Sequence, residues 1–143
     1  GLGAAAGEQR IYRVSINGGT AEMMTEVEAN VSPVSPDGKF FATFMADEKG
    51  GRKLAIYSIE GGQPLKVFPE TLSSLSQLKW SSDGKELFYA ENPLTSATIW
   101  VQPVESGQRR IWTQIDGDRI FGMDWSKDGK TLAVVRGFWS HNV

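Results

Sequence analysis

The sequence predicts an all-β chain of four-stranded antiparallel meanders, a partial β-propeller of about three blade equivalents, and three observations carry that prediction. First, a six-residue turn recurs as Val34-Ser35-Pro36-Asp37-Gly38-Lys39, Trp80-Ser81-Ser82-Asp83-Gly84-Lys85 and Trp125-Ser126-Lys127-Asp128-Gly129-Lys130. The Asp residues are 83 − 37 = 46 and 128 − 83 = 45 positions apart, a period typical of repeat architectures. Second, Ile11–Gly19, Leu54–Gly62 and Ile99–Gly107 align at offsets 54 − 11 = 43 and 99 − 54 = 45, each an apolar run ending in a glycine turn. Third, apolar or aromatic runs flank every turn, among them Phe40–Phe44, Leu87–Tyr89 and Leu132–Val135. One period therefore holds four short strands, which is one blade.

In chain order, residues 1–9 (Gly1 to Gln9) have no apolar periodicity and read as a linker or appended remnant. Residues 10–143 form the partial propeller: an outer half-blade at 10–27, a blade at 28–69, a blade at 70–114 and an inner half-blade at 115–143. The half-blades are complementary. Three blades cannot close a ring, since propellers have about four or more, so the expectation is a two-fold dimer closing to six blades with two composite blades. The other expectation is a fragment of a longer propeller.

Within each turn, Asp37, Asp83 and Asp128 are predicted as turn-formers whose carboxylates accept backbone hydrogen bonds. Gly38, Gly84 and Gly129 supply positive φ. Trp80 and Trp125 hold one repeat position before the turn and are assigned to blade packing, as are Trp100 and Trp112. The Phe138-Trp139 pair is a candidate subunit contact.

Composition narrows the function classes. A net charge of −2 is not the basic footprint of a nucleic-acid surface, and no apolar run approaches the roughly 18 residues of a membrane span. Without cysteine there is no disulfide or thiolate metal site. The single histidine, His141, has no Gly-x-Ser-x-Gly elbow to serve and no nitrogen or sulfur co-ligands for zinc. Asp116-Gly117-Asp118 reads as a polar hairpin loop rather than a calcium site, lacking the EF-hand pattern. Gly1-Leu2-Gly3 is not a phosphate loop, and Arg109-Arg110, Arg119, Glu22, Glu26, Glu28 and Asp47-Glu48 read as solvated charges. The reading is no enzyme, no cofactor and no metal, with either periplasm or cytoplasm as compartment.

On Ser35-Pro36-Asp37-Gly38-Lys39 and the Ile-Tyr-x-x-x-Ile-x-Gly-Gly type blocks, the chain resembles the TolB-like, WD-repeat-like bacterial propellers over roughly residues 11–140. Ser82 and Lys127 replace the proline of that pattern in the second and third copies. Sialidase Asp-boxes separate Asp from Gly, and WD repeats carry Gly-His and Trp-Asp pairs, so neither matches. The segment Ile120–Gly137 resembles the final blade of larger bacterial proteins bearing a signalling domain. The resemblance implies a non-catalytic protein-interaction or sensing module with a protein or peptide partner. The alternative is an accessory propeller of a larger enzyme such as a Ser/Thr kinase or a prolyl-oligopeptidase-like peptidase. A small lactonase-type propeller is the weakest reading, for want of histidine and clustered carboxylates. The connectors Asp47–Arg52, Thr71–Gln77 and Asn92–Thr98 are the expected binding loops.

Overall fold

A computed structural model describes residues 8–93 and 96–138. Trp139 and His141, the Gly1–Gly3 run and part of the Asn92–Thr98 connector lie outside the described residues. The chain divides into two compact units, residues 1–71 and 72–143.

The first unit holds β1 (Tyr12–Arg13), β2 (Glu22–Met23), β3 (Ala29–Asn30), β4 (Phe40–Ala46), β5 (Arg52–Ser58) and β6 (Lys66–Val67). They form a two-stranded sheet, β1-β2, and a four-stranded antiparallel sheet in sequential order, β3-β4-β5-β6. The second unit holds β7 (Leu75–Trp80), β8 (Glu86–Glu91), β9 (Ser96–Pro103), β10 (Arg110–Asp116), β11 (Arg119–Trp125) and β12 (Leu132–Gly137). Here β7 to β10 make the four-stranded sheet and β11-β12 the two-stranded one. All pairings are antiparallel, as short glycine turns between consecutive strands require. This is the all-β, partial propeller that the repeat predicts.

The middle strands explain why the sequence runs apolar without alternation. Four successive positions in each of β4, β5 and β8 are buried, Phe41–Phe44, Leu54–Tyr57 and Leu87–Ala90, as in a sheet covered on both faces. By contrast β12 alternates, with Leu132 and Val134 partly buried and Ala133 and Val135 exposed. One face of that pair is covered and the other is open.

Each two-stranded sheet packs on the four-stranded sheet of its own unit. In the first, Met24, Phe41, Ala55 and Tyr57 form a core with Ile11, Met45 and Ile59 at its margin. Phe41 and Tyr57 stack with ring centres 5.1 Å apart. In the second, Phe88, Ala90, Ala97, Ile99 and Val101 meet Ile120 and Met123, with Trp125, Leu132 and Val134 alongside. Burying each of the Val, Ile, Phe and Met side chains among them contributes about 1.5–3 kcal/mol.

Candidate functional site

The three repeated turns share one geometry. Ser35, Ser81 and Ser126 donate their hydroxyls to Oδ1 of Asp37, Asp83 and Asp128 at 2.6, 2.7 and 2.6 Å. The same carboxylate oxygen accepts the backbone N–H of Lys39, Lys85 or Lys130 at 3.0 Å. Each serine oxygen in turn accepts a backbone N–H where the next strand begins, from Phe40 of β4, Glu86 of β8 or Thr131 just before β12. Gly38, Gly84 and Gly129 have φ near +75°, +73° and +71°. Their N–H groups donate to the serine carbonyls, so Asp is the third residue of a β-turn and Gly the fourth, not the central pair of a two-residue hairpin. The sequence reading did not single out the serine, although it stands two residues before the Asp in every copy.

These hydrogen bonds favour the ionised carboxylates. The serine hydroxyl first, and the lysine N–H second, hold all three Asp pKa values below the ordinary value. A depressed folded-state pKa stabilises the fold above the unfolded-state value, and that contribution is lost as pH falls through the folded value. The urea midpoint is therefore expected to fall as pH drops below about 4. Part of that slope disappears in the D37N/D83N/D128N variant; an unchanged slope would contradict the assignment.

The tryptophans differ in their surroundings. Trp125 meets Phe88 edge-on at 4.8 Å, and Trp112 meets both Phe88 at 5.5 Å and Trp125 at 6.1 Å. Trp80 is buried. Trp112 nonetheless remains 45% exposed. Trp100 carries the Arg109 guanidinium 3.7 Å from its ring centre. Arg109 also bonds the Tyr89 hydroxyl and Glu91 at 3.0 and 2.9 Å, so it is not the solvated charge expected from sequence. Glu28 is likewise paired, to Arg52 at 2.6 Å. Asp118 of the Asp116-Gly117-Asp118 loop pairs with Arg136 at 2.6 Å. Asp47 accepts the N–H groups of Lys49 and Gly51 and so organises its own connector.

Among the described residues no group of three or more His, Cys, Asp or Glu is placed to hold a metal. Among the described residues no helix is long and apolar enough to cross a membrane. What the first unit does present is an apolar cleft of about 280 Å³. It is lined by Ile11 to Val14, Met24, Ser32, Val34, Phe41 and Ile59. Val34, Tyr12 and Val14 are 51%, 57% and 58% exposed. Its β1 side is a strand edge. Met24 donates its N–H to the Ile11 carbonyl at 2.7 Å, which turns Ile11 and Arg13 toward β2. In an antiparallel pair such bonds alternate, so the N–H groups of Tyr12 and Val14 face away from β2. Arg13 anchors this edge through the Ile59 carbonyl at 2.7 Å and through Glu22 and Glu60 at 2.7 and 3.2 Å. The cleft went unread in the sequence, although Val34 standing where the other copies have Trp80 and Trp125 marks it.

Residues 4–131 match the model of the SMP-30/gluconolactonase/LRE-like region. No curated protein matches. Among solved structures, a TolB of Agrobacterium tumefaciens superposes with a TM-score of 0.71 at 24% identity, covering 90% of this chain and 51% of that one. TolB of Acinetobacter baumannii gives 0.65 at 21% identity, covering 86% and 31%. The β-propeller domain of the trilobed protease of Pyrococcus furiosus, described as having an open velcro topology, gives 0.56 at 18% identity, covering 79% and 37%. These likenesses establish the fold, a TolB-like β-propeller, and the chain spans about half or less of each of these structures.

Proposed function

This chain belongs to the SMP-30/gluconolactonase/LRE-like family, and from its cleft we propose that it works as a non-catalytic protein-interaction module which takes an extended polypeptide strand. The observation that carries the reading is the apolar lining of Val34 and Phe41 beside the β1 edge, where the Met24-to-Ile11 hydrogen bond sets a phase that turns the Tyr12 and Val14 amides away from β2. An added strand gains main-chain hydrogen bonds from the edge, and its alternate side chains enter the cleft. An exposed apolar patch beside an unpaired strand edge is the surface that other chains pair with. TolB likeness supports a protein or peptide as partner. The net charge of −2 favours such a partner over a nucleic acid, whose binding surfaces carry a basic footprint.

Panning a library of extended peptides on the protein tests this. Enrichment of alternating apolar sequences that lose binding at least tenfold on Val34→Asp is expected. Peptides that bind equally well to that variant would contradict the assignment of the cleft.

Family membership also raises lactone hydrolysis. The interaction reading predicts that gluconolactone opens at the buffer rate with or without added divalent cations; hydrolysis that scales with protein concentration would overturn it. A second reading, an accessory propeller of a larger enzyme, draws on the likeness to a propeller domain that belongs to a protease. It is compatible with the same cleft, which would then dock a strand of the larger protein.

A further inference from the structure

Resting on that reading of the cleft, we propose that its occupant is strand β12 of a second copy of this chain, added antiparallel to β1 with Val134 opposite Tyr12 and Leu132 opposite Val14.

The register comes from the internal repeat. In the two four-stranded sheets, the residue seven past the turn Asp pairs with the first residue of the third-strand block: Phe44 (37 + 7) with Leu54, and Ala90 (83 + 7) with Ile99. In the third copy that residue is Val135 (128 + 7), and the first-block equivalent of Leu54 and Ile99 is Ile11. Among the described residues β1 pairs only with β2 and β12 only with β11, so each keeps one edge for such a pairing.

The hydrogen-bond phase agrees with this register by a separate route. Ile59 N–H donates to Lys39 O, and Val104 N–H to Lys85 O. Counting two residues at a time along these antiparallel pairs, Thr43–Ala55 and Tyr89–Trp100 are the hydrogen-bonded pairs. Their equivalent across the new seam is Val134–Tyr12. The Tyr12 amide is one of the two already shown to face away from β2.

The cleft also matches in packing. In the second unit Phe88, five past its turn Asp, fills the space against Trp125 and Trp112. The repeat equivalents of those two tryptophans in the first unit are Val34 and Met24, both lining the cleft. The residue that β12 brings to Phe88's place is Ala133 (128 + 5), flanked by Val135, which is 62% exposed.

Area and charge are consistent with a pair of copies. The exposed parts of Tyr12, Val14 and Val34 on one side, and of Phe121, Val135 and Phe138 on the other, amount to roughly 500 Å² per contact. A closed two-fold pair makes the contact twice, reaching the roughly 1,000 Å² at which specific interfaces begin, and completes two composite blades. Arg10 and Arg136 fall opposite each other, but each brings a carboxylate, Glu8 at 3.4 Å and Asp118 at 2.6 Å, so two ion pairs meet rather than two bare cations.

The test uses the absence of native cysteine. The register places exposed Ser15 opposite exposed Thr131, at a non-hydrogen-bonded position suited to a disulfide. Ser15→Cys and Thr131→Cys proteins are mixed under mild oxidation and linked two-chain species are quantified by mass spectrometry. At least about tenfold more linkage than with Ser15→Cys plus Lys130→Cys is expected, and Ala133→Asp in the Thr131→Cys protein abolishes it. Ala133 is exposed, so that variant keeps its fold. Equal yields from the two mixtures, or none, overturn the proposal. If linkage fails while cleft-binding peptides still depend on Val34, only the second copy as occupant is wrong. If both fail, the cleft reading falls with it.

Discussion

Replacing Asn92 with alanine is expected to lower the unfolding free energy by about 2–3 kcal/mol, because it strands a buried backbone group. Asn92 sits just past β8 and is 4% exposed. Its side-chain amide acts toward β11 as a strand would: Oδ1 accepts the Ile120 N–H at 3.0 Å and Nδ2 donates to the Ile120 carbonyl at 3.1 Å. Nδ2 also donates to Ser76 Oγ at 2.7 Å, and that hydroxyl donates to the same carbonyl at 3.1 Å. Ile120 is 1% exposed, so water cannot substitute without opening the joint. Ser76→Ala removes one of two donors to the carbonyl and is expected to cost about 1 kcal/mol. Urea denaturation of both variants measures the difference, and an Asn92→Ala loss no larger than that of Ser76→Ala would show that the amide is not the joint between the two sheets of that unit.

Phe88→Ala carries the larger expected effect, about 3–5 kcal/mol, as for other buried phenylalanines. Phe88 lies in the core where the four-stranded sheet meets β11 and β12, and its ring is the shared partner of Trp112 and Trp125. Truncation removes edge contacts to both indoles, so tryptophan emission should shift along with the stability. Ile16→Ala, at a fully exposed side chain, is expected to stay within about 0.5 kcal/mol of the parent. Comparable losses for the two variants would contradict the placement of the core.

Much of the fold was legible because a blade repeats its own signals. Three Ser-x-Asp-Gly-Lys turns and three apolar blocks ending in glycine place the hairpins, since the geometry each turn needs is local. Side chains that act across sheets leave no such trace. Asn92 stands nine past Asp83, where the other copies have Ala46 and Gly137, so the repeat hides it. Arg109 next to Arg110 looks like surface charge, and only the fold brings it over Trp100 and beside Glu91. The bulges are similarly hidden: Val31 and Gln77, each six before a turn Asp, have φ of +53° and +54°, a region that sequence assigns to glycine. Both interrupt the first strand of their sheets, where bulges redirect side chains; Gln77 Nε2 reaches the Phe121 carbonyl at 3.1 Å. The cleft depends on substitutions within the repeat, Val34 for tryptophan and Met24 opposite Trp112, whose meaning emerges only when the two units are compared position by position.

Amide hydrogen exchange at Tyr12 and Val14, followed over a dilution series, tests the central claim most directly. If their N–H groups receive an added strand, both exchange slowly at high protein concentration and faster on dilution, while the amides of Ile56 and Phe88 within the four-stranded sheets do not change. Exchange at Tyr12 and Val14 that is fast at every concentration, and stays fast when a cleft-binding peptide is added, would contradict the claim that this edge is where the protein meets its partner.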